Sequence, residues 1–227
     1  MIVSRLDKAQ AMRYMGMRGE LSDTAKENIG KLMDKCEELL LKLIEPKYTY
    51  RSFELTRESE GIRLSGSSLV LTGNDIADLL CGCDTAVLIC ATLGIGADRL
   101  IRQLSLSDIA EGFAADALAS AAIEQVCDAV ENEIKKRFEG KGMTWRFSPG
   151  YGDLPIELQR EFLDVTDAQR RLGVTLSDGG MLIPSKSVTA VIGISEEIKD
   201  NDKKGGCEVC NMADRCSFRK RGESCGV

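Results

Sequence analysis

Apolar residues recur at three- and four-residue steps at Ile29, Leu32, Met33, Cys36, Leu40, Leu43 and Ile44, which predicts an amphipathic helix over residues 24–44. Thr24 and Glu27 have the spacing of a capping box at its start, and Pro46 stops it. A shorter helix over residues 8–15 precedes it. From residue 48 to 71 the period changes to two, in the pieces YTYRSFEL, GIRL and SSLVL with Gly and Ser between them, the pattern of antiparallel strands. TGNDIADLL reads as a turn and a short capped helix, TAVLICATLG as a buried strand, and residues 97–103 as a helix. The segment 107–138 is the longest predicted helix, rich in Ala, with Ile109, Phe113, Ala117, Ala121, Val126 and Val130 at helical spacing. After it come a short strand into Arg146, a turn-rich loop, a helix from Ile156 and a second helix capped at Thr166 or Asp167. GVTLSDGGMLIPSKSVTAVIGIS then returns to strand periodicity. Helices interleaved with hairpin-like strands predict an α+β domain over residues 1–195 rather than a regular doubly wound sheet. Residues 196–206, EEIKDNDKKGG, are a charged linker with nothing to bury, and 207–227 form a separate cysteine-rich tail.

Composition narrows the partners. The 227-residue chain is 43% hydrophobic and carries a formal charge of -6, which argues against a nucleic-acid or anionic-membrane partner. Its apolar runs fall short of the roughly 18 residues that cross a bilayer, and its first residues do not read as an export signal, so a cytoplasmic protein is expected. Nine cysteines there mean free thiols or metal ligands rather than a disulfide framework. Histidine is absent, which removes the commonest general base and every metal site built on imidazole.

The tail holds Cys207-x2-Cys210-x5-Cys216-x8-Cys225, and its only sizeable apolar side chains are Val209, Met212, Phe218 and Val227. Burial of so few cannot offset the ordering entropy, so some bond has to close the segment. Four thiolates at this spacing suit tetrahedral zinc or an iron-sulfur cluster, and Arg215, Arg219, Lys220 and Arg221 offset the negative charge of either. Cys36, Cys81, Cys83, Cys90 and Cys127 lie in apolar patterns and read as small buried hydrophobes, although Cys81 and Cys83 flank a glycine at a turn and could reach a ligand.

Gly94-Ile-Gly96 lacks the third glycine of a dinucleotide loop, Arg99 standing there, and reads as a plain strand-to-helix turn. Glu124, Glu131 and Glu133 read as a solvated helix face. WRFSPGYGDLP, residues 145–155, is different: it uses two of the four prolines and the one tryptophan. Arg146 follows a predicted strand and the stretch behind it must turn sharply. The guanidinium and the loop's backbone groups can therefore converge on one small ligand, or else the loop is structural and Arg146 makes a surface salt bridge.

RFSPGYGDLP, followed by LGVTLSDGGMLIPSKSVTAVIG and preceded by ADALASAAIEQVCDAVENEI, resembles the reactivation domain of vitamin B12-dependent methionine synthase over residues 84–195. AQAMRYMG is similar to the opening of the stand-alone version of that domain. The resemblance implies a methionine synthase activation-like fold, a mixed or antiparallel twisted sheet with flanking helices. It also implies a chain that binds S-adenosylmethionine and supports the reductive methylation of cob(II)alamin on a corrinoid-binding methionine synthase or methyltransferase, in methionine biosynthesis. By resemblance, Arg146 would hold the methionine carboxylate, the Ser148 backbone would meet the adenine, and Gly150 and Tyr151 would shape the pocket that faces the corrin. The family's helix glutamate falls on Ser120 or Glu124, of which Glu124 is preferred; its acidic contact nearer the domain start and its later tyrosine have no counterpart here. With no histidine the chain has no D-x-H-x-x-G signature for a corrinoid's lower ligand, so the cobalamin is expected on a separate partner. An iron-sulfur tail could deliver the electron, and a zinc tail would be a docking element, with a separate electron donor possible. The alternative is a non-catalytic zinc or iron-sulfur adaptor or electron carrier for a corrinoid methyltransferase system. An autonomous methyltransferase ranks below both, because no catalytic base or nucleophile is evident.

Overall fold

The computed structural model describes residues 3–17 and 22–197 of the chain. They fall into two compact units. One gathers the chain up to Thr49 with Ala91–Glu131 and Ala168–Val188; the other gathers Tyr50–Cys90, Asn132–Asp167 and the chain from Thr189. The cysteine tail and all but the first two residues of the charged linker lie outside the described residues.

The first unit is helical. Helices α1 (Lys8–Tyr14) and α2 (Asp23–Leu43) each start on a side chain that accepts from the backbone: Asp7 from the Gln10 amide, and Ser22 from the Ala25 amide at 3.3 Å. The cap of α2 is therefore Ser22, two residues ahead of the Thr24 of the Thr24–Glu27 pair that the spacing suggested. Along α2, Met33, Cys36 and Leu40 are buried at three- and four-residue steps as the periodicity requires. They join Leu93, Leu100 and Leu104 and the alanines of a long helix in one apolar cluster. That helix, α5, runs Ile109–Arg137, and α4 runs Ile95–Ser107; between them Asp108 is extended and its carboxylate caps the Ala110 amide at 2.8 Å. From Ala114 onward α5 is lined with fully buried alanines, whose small side chains let neighbouring backbones approach closely. Its first turn lies ahead of that packed section, so Ile109 and Phe113, expected on the apolar face, are 83% and 51% exposed. Helix α7 (Ala168–Leu172) and a small hairpin, β6 (Thr175–Leu176) with β7 (Leu182–Ile183), complete the unit.

The second unit holds most of a six-stranded sheet of order β3-β2-β1-β4-β8-β5. Its members are β1 (Lys47–Glu58), β2 (Gly61–Leu64), β3 (Val70–Leu71), β4 (Thr85–Thr92), β5 (Gly142–Met143) and β8 (Ser187–Ser195). The pairs β1–β2, β2–β3 and β5–β8 are antiparallel. Hydrogen bonds from the Glu45 amide to the Leu93 carbonyl at one end and from the Leu55 amide to the Asp84 carbonyl at the other show that β1 and β4 run antiparallel too. The pieces read from period-two alternation thus pair as expected. β4 is buried at every residue after Thr85, which is why it reads as a continuous apolar run. The core of this unit is built on Phe53, Leu64, Leu69, Ile76, Leu80, Leu88 and Phe162. Its other helices are α3 (Asn74–Leu79) and α6 (Gln159–Thr166), the latter entered through a single 3-10 turn at Ile156–Leu158. Thr166 does not cap the helix that follows: it is buried and its hydroxyl turns back to the Phe162 carbonyl at 2.6 Å, while Asp167, at φ 55, makes the break. Among the described residues no helix is long and apolar enough to cross a membrane.

Candidate functional site

The stretch 145–155 is fastened at both ends. Upstream, the Thr144 amide donates to the Gly193 carbonyl at 3.0 Å and the Gly193 amide to Thr144 Oγ1 at 2.8 Å. Phe147 and Val191 then exchange both backbone hydrogen bonds, at 3.0 and 2.8 Å. Arg146 sits half-buried between these two ties to β8. Trp145 and Phe147 pack on the sheet unit's core, and downstream Leu154 is inserted into it, 1% exposed. The lone tryptophan and the prolines therefore anchor and turn a short excursion of the chain.

Between the anchors the chain doubles on itself. The Tyr151 amide donates to the Ser148 carbonyl at 3.0 Å, the Leu154 amide to the Tyr151 carbonyl at 3.0 Å, and the Gly150 amide to the Leu154 carbonyl at 2.8 Å. Gly150 at φ 90 and Gly152 at φ 53 lie in the left-handed region that other residues avoid. A Cβ at Gly150 would also stand only 3.0 Å from Ile156 Cδ1. Tyr151 meets Phe147 edge to face at 6.2 Å between ring centres, yet remains 61% exposed. A half-buried arginine beside such a turn brings a guanidinium, a group that can receive a carboxylate, close to the loop's backbone.

Asp153 is a member of this loop that sequence reasoning passed over. Its Oδ2 accepts from the Asn74 amide at 2.6 Å and its Oδ1 from the Asp75 amide at 3.0 Å, while its own amide donates to Asp75 Oδ2 at 3.1 Å. These amides, that of Asn74 first, hold the Asp153 carboxyl below the usual carboxylate range. The N-cap position of α3 is Gly73, which has no side chain to offer, so the first amides of α3 need an acceptor from elsewhere. That shortage was the available signal: a helix start at GND without its own cap, and an aspartate placed in a turn-rich loop.

Of the residues singled out from the sequence, Arg146, Ser148, Gly150 and Tyr151 all belong to this loop in the sheet unit. Glu124 lies on the part of α5 that belongs to the helical unit. There burial first, then the Glu124 charge, pushes the Tyr14 phenol up. Ser120, its alternative, donates to the Asp116 carbonyl at 3.0 Å and accepts from Lys186 Nζ at 2.9 Å; Lys186 also pairs with Asp116 at 2.8 Å. Glu133, read as solvated, accepts from the Tyr50 hydroxyl at 3.1 Å. Gly96 is a packing glycine, since a Cβ there would run into the Leu43 carbonyl. Cys36, Cys83, Cys90 and Cys127 are buried and Cys81 is exposed. Among the described residues no group of three or more acidic or cysteine side chains is placed to hold a metal. Cys207, Cys210, Cys216 and Cys225 lie outside those residues.

No family model and no curated protein sequence matches the chain. A solved structure does: the crystal structure of the MetH reactivation domain bound to AdoHcy superposes with a TM-score of 0.63 at 14% identity, over 83% of this chain and 73% of that one. The fold is that of the methionine synthase reactivation domain. At this identity the kinship is one of architecture: the α+β order of helices around an antiparallel six-stranded sheet is shared, whereas most side chains differ. The expected methionine synthase activation-like fold is therefore observed.

Proposed function

We propose that the chain binds S-adenosylmethionine on the 146–154 loop and supports reductive methylation of a corrinoid presented by a partner protein, a methionine synthase or corrinoid methyltransferase. The observation that carries this reading is the Arg146 loop, tied on both sides and turned on two left-handed glycines, within a fold shared with a reactivation domain that holds AdoHcy. The residues fit such a ligand. Arg146 offers a planar fork for the methionine carboxylate. In this reading the Ser148 peptide, whose carbonyl accepts from the Tyr151 amide, meets the adenine edge, and Gly150, at φ 90 and packed close to Ile156, gives the loop the turn that presents it. Tyr151 is exposed and, in this reading, lies where a corrinoid partner would meet the loop. Glu124 is assigned a ligand contact by resemblance alone.

When bound, S-adenosylmethionine supplies the methyl group that, with one electron from a donor, returns an inactive corrinoid to its methylated form. In this reading the chain's own part is orientation, since methyl transfer depends on alignment of the reacting atoms. In the same proposal Cys207, Cys210, Cys216 and Cys225 hold one centre, zinc or iron-sulfur, in a docking or electron-delivering role. Transfer of label from methyl-labelled S-adenosylmethionine to a cob(II)alamin-loaded partner, with a reductant, tests the reading. The wild-type chain should support transfer and Arg146→Ala should not; equal transfer with both, or with no chain added, would refute it.

A further inference from the structure

We propose that Asp153 is a positioning residue: together with Asp75 it latches the 146–154 loop to the first turn of α3 and so holds Arg146, Ser148 and Gly150 in the conformation that binds the S-adenosyl ligand. The inference rests on the reading above and extends it to two residues beyond Arg146, Ser148, Gly150 and Tyr151.

The need for a latch follows from the loop's composition. Gly150 and Gly152 allow it its reversal, but glycine also gives the unrestrained chain more conformers than any other residue. The bridge at Phe147–Val191 holds one end and buried Leu154 the other. In the exposed stretch between them, Asp153 makes three hydrogen bonds to α3, two through its carboxylate and one through its amide. The exchange is reciprocal: the loop carboxylate caps a helix whose own cap position is glycine, and the helix carboxylate of Asp75 takes the loop's amide. Both approaches depend on bare backbone. A Cβ at Gly73 would run into the Asp153 carboxylate, and one at Gly152 into the Asp75 carboxylate. The depressed Asp153 carboxyl agrees with an ionised acceptor seated on two amides.

A ligand that needs one loop conformer binds in proportion to the fraction of molecules that hold it. Loosening the latch should therefore weaken binding without touching any ligand contact. The test is calorimetric titration of S-adenosylhomocysteine into the full chain and four variants, with thermal unfolding to confirm that each is folded. Asp153→Ala is expected to weaken binding about tenfold, as when the competent fraction falls to about one tenth. Asp153→Asn keeps one carbonyl acceptor and should recover most of the loss, a rescue that a general loss of stability would not show. Asp75→Ala frees the Asp153 amide alone and should weaken binding by roughly threefold; with Asp153→Asn it carries the test if Asp153→Ala does not fold. If the Asp153 and Asp75 variants bind like wild type while Arg146→Ala binds weakly, the latch is refuted and the site reading stands. If Arg146→Ala also binds like wild type, or the wild type does not bind, the site reading fails and the latch with it.

Discussion

At the scale of single residues, environment decides which groups can react. Burial pushes the Cys90 thiol up to about 12 and that of Cys83 up to about 11, and raises Cys36 as well. A raised thiol stays protonated at neutral pH, and the thiolate is the nucleophile. Native alkylation with iodoacetamide near neutral pH, followed by peptide mass spectrometry, should therefore label exposed Cys81 and leave Cys36, Cys83 and Cys90 unmodified, with Cys127 spared by its burial. Asp153 shows the opposite shift. Its folded-state carboxyl is depressed, so its contribution to stability is present above the ordinary carboxylate range and disappears as pH falls through the lowered value. The melting temperature of Asp153→Asn should accordingly lie below that of wild type at neutral pH, with the gap closing in acid; a gap independent of pH would contradict the assignment. Arg146 and the tight turn behind it were legible in the sequence because turn formers and a cation crowd one short stretch, whereas Gly150 and Tyr151 were singled out by the family resemblance. Asp153 was not, since its partners lie 78 positions or more away in sequence and periodicity carries no such information.

At the scale of elements, the sequence pattern recovered most helices and strands and missed where they begin. The Ser22 cap, the Asp108 break and the buried Thr166 all depend on where a hydroxyl or carboxylate finds an amide, which residue type alone leaves open. The error over Ile109 and Phe113 has a different origin. Helical spacing marks a stripe, but only tertiary packing says where along the helix the stripe becomes buried. This separates two substitutions on α5. Leu118→Ala, at a fully buried position, should lower the unfolding free energy by about 2–5 kcal/mol. Ile109→Ala, at 83% exposure, should stay within about 0.5 kcal/mol. Chemical denaturation of the two variants checks both, and equal losses would mean that the first turn of α5 is packed after all.

At the scale of the whole molecule, an acidic chain without histidine adopts the reactivation-domain fold at 14% identity, which separates what the fold needs from what the site needs. In this chain the fold rests on buried β4, the alanine-lined α5 and the strand order; the proposed site adds one arginine, two glycines and the turn that joins them. Metal analysis of the anaerobically purified full chain should find one zinc or one iron-sulfur centre, lost in Cys207→Ser/Cys210→Ser, whereas a metal-free wild type would remove the tail from the mechanism. The central claim is that Arg146 receives the carboxylate of an S-adenosyl ligand, and calorimetric titration of S-adenosylmethionine into wild type and Arg146→Ala tests it most directly. Loss of a charge-assisted hydrogen bond worth about 1.5–3 kcal/mol should weaken the variant roughly ten- to a hundredfold. Equal affinities for the two proteins, or no binding by the wild type, would contradict it.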